Sequence, residues 1–577
     1  MLKKIYIILE KKLRLKLNIV IFLNSLSFIF EFLSISSLPI FASSLVKPDY
    51  TIEKIKSFLI YIDFASLSNY DIIKYLGYTV IILFLVKNVF LILLLRYQSF
   101  FFRSVKVKLS EKLFDYYINV PYDYYIKGNP SVIVRNLINE IQSVYGYINS
   151  LMTFYREILA VLVILVLLIF INPKIVLFLL LLFVIFSLIY QKLIKPIIKK
   201  AAIKNQSVVA NIVKVLNETF GSIKEIKIAS KEKKIGNIFK NDVEIFENNL
   251  RYFYVIEKTP KILLELIILL MLTSYALYLF DKVNYDELLP QLALFVILAF
   301  RFIPAFNGIN SSLTYIKIFK PSVSLIYNEI LKMKTFQTQK TVTQNFKKDS
   351  IYEPDSSYYL KLNKIFYKYP ESIDNTLENI SLTINKGDKI GIAGQTGAGK
   401  STLMYLMLGL LKPTHGSIFF RKENIQKNIN EWFKEISYVS QNPYLYDSSI
   451  LDNITFNFGT NKAFNQKSKI EKILQISNLD KKLKNLPDGI LTNVGNDAVR
   501  LSGGEKQRIA IARALYKDSN IFFMDEFTSA LDSDTEKNII SNLIKYYPDK
   551  TLVIISHRES TLKMCNKVIN ISSKTIN

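Results

Sequence analysis

The sequence is short of the features that mark a secreted or a purely soluble protein. It has a single cysteine, Cys565, so no internal disulfide is possible and nothing points to an oxidising compartment. Acidic residues are outnumbered 48 to 74 by Lys and Arg, a formal net charge of +26. Such an excess invites a nucleic-acid reading, but no aromatic-plus-basic binding motif accompanies it. No internal repeat is evident, and no long apolar run follows residue 320. A chain of 577 residues is too long for one core. Half of its residues are hydrophobic and a fifth are charged, which suits a protein that is part membrane and part soluble.

What is present comes in two blocks. The apolar mass lies in six stretches long enough to cross a bilayer, about 18–45, 72–98, 151–171, 174–194, 259–280 and 288–315. Asn172-Pro173 turns the third into the fourth. The Lys-rich segments are the amino terminus (Lys3, Lys4, Lys11, Lys12, Arg14, Lys16) and the long connections after spans two and four. Positive-inside logic places these, and both termini, in the cytoplasm. No cleavable signal peptide is expected, because the first apolar run is too long. The two long connections read as helical extensions of the membrane spans, with turns near Tyr122–Asn129 and Asn217–Ser222 where a soluble domain could be gripped. Residues 1–320 are therefore expected to form a six-helix, all-α transmembrane domain with long cytoplasmic helical extensions. Residues 321–355 read as a polar linker. Beyond it, in 356–577, short apolar strands alternate with helical patterns, the signal of an α/β domain.

That second block carries the chemistry. Gly394-Gln395-Thr396-Gly397-Ala398-Gly399-Lys400-Ser401 is a complete P-loop, expected between a strand at 389–393 and a helix at 402–411. Its backbone N–H groups and the helix N-terminus suit phosphates, Lys400 would reach the outer phosphates, and Ser401, with Thr402 beside it, would sit at the magnesium ion. Ile521-Phe522-Phe523-Met524 reads as a strand buried on both faces, with Asp525 and Glu526 at its carboxyl end, where ligands of open α/β sheets bind. Asp525 suits magnesium and Glu526 suits polarising the attacking water. Leu501-Ser502-Gly503-Gly504-Glu505-Lys506-Gln507 forms a second anion cradle at a helix start. One domain does not need two cradles for one nucleotide, so the second serves a neighbour's.

With these motifs in view the chain resembles the ATP-binding-cassette (ABC) transporters. The resemblance implies that Gln441, in Ser440-Gln441-Asn442-Pro443, contacts magnesium, that His557 contacts the terminal phosphate, and that Ser529–Asp532 crosses a dimer interface. It implies an aromatic residue stacked on adenine, for which Tyr369 is favoured and Tyr367 competes. Ser502, Gly503, Gly504 and Gln507 would act in trans, so a second half-transporter is required. A homodimer would hold two competent sites, and a heterodimer is the alternative. Two residues depart from the family pattern: Phe527, where alanine is usual, and Asn496, in Val494-Gly495-Asn496-Asp497.

The cargo is less plainly written. Lys87, Lys261 and Arg301 place cations at membrane depth on three spans, with Glu31 and Glu265 as acidic counterparts. They suit an anionic substrate, phosphate above all. The stretch 52–62, in the long first external connection, reads as an amphipathic helix on the outer leaflet. Together these resemble bacterial lipid-linked oligosaccharide flippases, with Arg301–Asn307 the nearest match, which implies a polyprenyl-pyrophosphate glycan carried across the inner membrane. A general lipid, drug or peptide exporter is the alternative within the family. Outside it, a soluble cassette ATPase has no use for six apolar spans.

Overall fold

The computed structural model describes residues 2–46, 68–128, 130–171, 204–280, 285–345, 359–458, 466–495 and 501–576, less 206, 371 and 573, together with 188, 189, 192 and 201. The expected fourth span apart from 188, 189 and 192, the Asn172-Pro173 turn, the stretch 52–62 and Asn496 lie outside the described residues. The chain divides into two compact units, Met1–Val120 with Gly128–Gln339, and Pro121–Lys127 with Lys340–Asn577.

The described residues of the first unit form helices joined by short turns. A short α1 (Leu2–Ile8) precedes α2 (Lys11–Val46), and α3 (Asn69–Asn119) follows. Ser68 caps α3, its hydroxyl accepting from the Asp71 N–H at 3.2 Å. The second predicted span is thus the first part of a single 51-residue helix. In the second unit, Asp123–Lys127 forms the short α4. The chain re-enters the first unit as α5 (Pro130–Arg135), one π turn at Asn136–Glu140, and α6 (Ile141–Ile171). Helical backbone over 207–221 leads into α7 (Ile223–Ile228) and α8 (Glu232–Phe280), and α9 (Tyr285–Asn345) completes the unit. Among the described residues α2, α3 and the run from α5 into α6 are long and apolar enough to cross a membrane.

The turn expected near Asn217–Ser222 falls at its last residue, Ser222, after helix as far as 221, and a second break follows at Ser230, which takes a left-handed φ of 50°. The polar stretch 321–345, read as the first part of a linker, is helical, the continuation of α9, which runs unbroken for 61 residues, and the division between the two units falls within it, after Gln339. The reason is a narrow apolar stripe. Val323, Ile326, Ile330 and Met333 recur at spacings of three and four and are all buried. Their neighbours on α9 bond inside the same unit: Ser324 accepts from Lys4 Nζ, Glu329 accepts from the Tyr117 hydroxyl at 3.3 Å, and the ring of Phe336 meets that of Tyr116.

The second unit is α/β. Its main sheet has the order β12-β11-β3-β10-β9-β6, where β3 is Lys389–Gly394, β6 Ile436–Val439, β9 Ile521–Asp525, β10 Thr551–Ile555, β11 Lys567–Ser572 and β12 Thr575–Ile576. All its neighbours pair in parallel except β11 with β12. β9 and β10 are buried along their whole length, as a parallel sheet covered on both faces requires. An antiparallel sheet, β2 (Leu377–Ile384), β1 (Leu360–Tyr367), β4 (His415–Phe420) and β5 (Glu423–Asn424), closes one side of the core. Strands β7 (Ser448–Ser449) and β8 (Asn493–Val494) make a small third sheet. Within this unit the ring of Tyr122, beside α4, lies 6.0 Å from that of Tyr405.

Candidate functional site

Strand β3 delivers the P-loop and α10 (Lys400–Met407) leaves it, starting two residues and ending four residues earlier than the sequence suggests. The loop needs glycine where it is tightest. Gly399 has φ 99°, and a Cβ there would lie 2.8 Å from Leu377 Cδ2; at Gly394 it would lie 2.5 Å from the Ile571 carbonyl. Lys400 Nζ donates to the carbonyls of Gly394 (2.8 Å) and Gln395 (2.9 Å). Burial lowers its pKa, while Glu526 and Asp525 act against that shift. Its ammonium is held over the loop, where phosphate oxygens could replace the two carbonyls.

Asp525 ends β9 and is buried. Burial first, then the charge of Glu526, pushes its carboxyl up to about 6, with Lys400 opposing. A divalent cation would favour the ionised form. Ser401 lies one residue beyond Lys400 on α10, and Gln441 follows β6. One carboxylate, one hydroxyl and one amide oxygen fit magnesium, which keeps several waters and takes the rest of its shell from substrate phosphates.

Glu526 stands where the chain leaves β9, with a left-handed φ of 44° and its N–H donated to the Ile555 carbonyl. Its side chain is bracketed. Gln441 Nε2 donates to Oε2, and His557 Nε2 lies 3.3 Å from Oε1. The structure therefore gathers Lys400, Gln441, Asp525, Glu526 and His557 at the carboxyl ends of β3, β6, β9 and β10. Tyr369 is half-buried, with its hydroxyl 3.2 Å from Thr402 Oγ1. Tyr367 is buried in the core, meets Tyr369 edge to face, and has its hydroxyl pKa raised to about 12, chiefly by burial. Of the two, only Tyr369 keeps a face for a ligand.

The second cradle opens α13 (Gly503–Lys517; α11 is Ile450–Thr455 and α12 Lys467–Ile476) with a complete capping box. The Ser502 N–H donates to Glu505 Oε2 and the Glu505 N–H to Ser502 Oγ. Burial resists ionisation of Glu505, but bonds from Lys482 and Ser502 outweigh it and hold its pKa low. Gln507 differs from expectation. It is buried, its Nε2 donates to Ser529 Oγ (2.8 Å) and the Gln441 carbonyl (3.3 Å), and its Oε1 accepts from the Ala530 N–H (3.0 Å). Both ends of the amide are committed within its own domain, because the helix turns this position inward while Ser502, Gly503 and Gly504 stay at the open start.

Three arginines whose contacts shape the structure escaped the sequence reading. Arg558 reaches Glu536 and donates to the Leu531 carbonyl, holding the 529–531 loop. Its only signal was adjacency to His557. Arg513 donates to the Asn453 carbonyl at 2.8 Å and to the Tyr444 carbonyl at 3.2 Å, shaping the loop after Gln441. In the first unit Arg156 pairs with Glu157 on α6 at 2.8 Å, and Glu157 fills the space that a side chain at Gly308 would need.

The expected cargo residues separate. Lys261 pairs with Glu265 one turn on, at 3.7 Å. Lys87 has no carboxylate partner among the described residues and holds its ammonium 4.3 Å from the ring centroid of Phe84. Arg301 lies on α9, and its side chain is outside the described residues.

Residues 58–303 match the family described as ABC transporter transmembrane region, and 377–529 the one described as ABC transporter. An ATP-dependent lipid A-core flippase of Cupriavidus pinatubonensis is 24% identical over 81% of this chain and 77% of its own. The multidrug resistance-like ATP-binding protein MdlA of Buchnera aphidicola is 40% identical over 38% of this chain, and the lactococcin-A transport/processing ATP-binding protein LcnC of Lactococcus lactis is 36% identical over 37%. The chain spans about a third of each of these last two, 37% and 29%. A solved bacterial Atm1-family ABC exporter with ATP bound shares the fold, with a TM-score of 0.73 at 16% identity over 98% of this chain and 95% of its own. With a transmembrane domain followed by an ATP-binding domain that implies hydrolysis coupled to transport, the chain belongs to the ABC transporters and has the fold of an ABC exporter.

Proposed function

We propose that this exporter works as a homodimer in the inner membrane, termini in the cytoplasm, and flips a lipid-linked oligosaccharide whose pyrophosphate is its recognised anion. The observation that carries the cargo reading is Lys87: a cation inside a membrane helix, unpaired with any acid among the described residues. The relatives named lipid A-core flippases support a lipid cargo. The Lys261–Glu265 pair weakens Lys261 as a ligand and leaves the role to Lys87 and Arg301.

At the ATP site, Tyr369 stacks on the base, and the N–H groups of 394–402 cradle the phosphates. Ser401, Gln441 and Asp525 would hold magnesium, whose charge would offset that of the phosphates when bound. Glu526 orients the attacking water, Gln441 and His557 fix its carboxylate, and Lys400 stabilises the outer phosphate. Ser502, Gly503 and Gly504 present N–H groups and a hydroxyl to the partner's nucleotide. Gln507 is a positioning residue that ties this cradle to the 529–530 loop.

The cargo is tested by Arg301→Ala in proteoliposomes, reading transfer of a fluorescent polyprenyl-pyrophosphate glycan beside basal ATP hydrolysis. Transfer falls by about 10-fold or more while hydrolysis changes by less than about twofold, and Arg301→Lys rescues in part, lacking the planar fork. Normal transfer together with lost transport of an uncharged amphiphile would move the assignment to a general lipid or drug exporter. Dimerisation is tested with mixed dimers. Ser502→Ala on one subunit and Lys400→Ala on the other disable one nucleotide site twice and spare the second, about half the turnover if the sites act independently. Both changes on one subunit disable both sites. Equal turnover from the two arrangements contradicts head-to-tail pairing.

A further inference from the structure

The most apolar stretch of α3 is almost uncovered: only 6% of its 18-residue window is buried within the chain. On one stripe of that helix, at spacings of three and four, stand Ile82, Val86, Val89 and Leu93, all exposed and all suited to lipid tails. The stripe then changes character. Its next positions are Arg96, Phe100 and Arg103, and with Leu93, Tyr97 and Ser99 they line an open hollow on the surface of α3. On the neighbouring helix α2, Lys16 brings its ammonium to 5.4 Å from the ring centroid of Phe100. Where the apolar band ends, Lys16 thus lies against the ring of Phe100, and Arg96 and Arg103 stand one turn to either side of it on α3. Among the described residues none of Lys16, Arg96 and Arg103 pairs with a carboxylate.

Basic side chains gathered at the edge of an apolar band attract an anionic headgroup. The spacing narrows the choice. Arg96 and Arg103 are seven residues apart, about 10 Å along the axis, within reach of one headgroup layer. Phe100 and Tyr97 sit at the depth where aromatic side chains anchor at an interface. We propose that Arg96, Arg103 and Lys16 form a binding site for the phosphate headgroup of a membrane lipid, its acyl chains lying along Leu93, Val89 and Val86. The boundary is the one beyond which α3 continues out of the membrane, facing the cytoplasmic leaflet in the orientation given above. The site is separate from the proposed cargo residues and does not depend on which lipid is exported. Arginine fits because its planar donors take two phosphate oxygens at once.

The test uses the full chain in nanodiscs of phosphatidylcholine alone or mixed with phosphatidylglycerol, then native mass spectrometry after transfer to detergent. The wild-type chain retains phosphatidylglycerol over phosphatidylcholine by several-fold, and Arg96→Ala/Arg103→Ala loses the preference. Arg96→Lys/Arg103→Lys keeps part of it, which separates loss of the site from loss of the fold. Thermal unfolding supplies the second readout: a short-chain phosphatidylglycerol raises the transition of the wild type and not of the double alanine variant. Equal retention by wild type and double alanine variant overturns the proposal. So does an equal rise given by inorganic phosphate, which would make the site one for a free anion.

Discussion

Glu526→Gln lowers ATP turnover by about 10²–10⁴-fold and leaves nucleotide binding intact, the range expected when a general base or water-orienting group is removed. The amide is isosteric and keeps one acceptor oxygen, so one of the two contacts, from Gln441 to Oε2 or from His557 to Oε1, survives, while the charge that polarises water is gone. Asp525, Lys400 and the P-loop are untouched. ATP therefore accumulates between two subunits that cannot cleave it, and a long-lived ATP-bound dimer should be seen by size-exclusion or cross-linking. Phosphate release near the wild-type rate would remove Glu526 from its proposed role.

Phe527→Ala costs about 3–5 kcal/mol of the stability of the ATP-binding unit. The side chain is 1% exposed, in a core cluster with Met524, Leu531, Ile539 and Ile554. Alanine is the usual residue here in the family that the motifs resemble, so a substitution toward the common residue is expected to harm this chain. A core built around a ring does not close over the hole that the ring leaves. The measurement is unusually clean, because Trp432 is the only tryptophan in the sequence and is buried in the same unit. Its fluorescence during urea unfolding of the solubilised protein reports that unit alone. Phe527→Leu should recover most of the loss. A loss below about 1 kcal/mol for the alanine variant would mean that the neighbouring side chains collapse into the space.

The ATP site was legible because its chemistry is written in backbone terms. Glycines at fixed spacing, a lysine and a strand-end carboxylate pair leave few other uses, and the structure places Lys400, Asp525 and Glu526 together. Gln507 shows where such reading stops. A motif names a residue type, but whether an amide on a helix faces a neighbour or its own core is settled by packing of the 529–530 loop. The extension of α9 was legible in principle from Val323, Ile326, Ile330 and Met333, but a surrounding excess of polar residues hid the stripe. The Arg156–Glu157 pair was hidden differently. Adjacent residues do not share a helix face, so sequence spacing gives no hint that the guanidinium folds back. The Lys261–Glu265 contact, at four residues, is what spacing does predict.

The backbone of Glu526 sets stability against function at a single position. A residue with a Cβ at φ 44° is strained by about 1–2 kcal/mol relative to a relaxed conformation, and glycine would relieve it. The residue that folds most easily there is therefore one that cannot orient water. A library selected only for thermal resistance should drift toward Gly or Asn at 526 and become inactive, whereas one selected for export should retain the acid and gather its compensating changes elsewhere in the core.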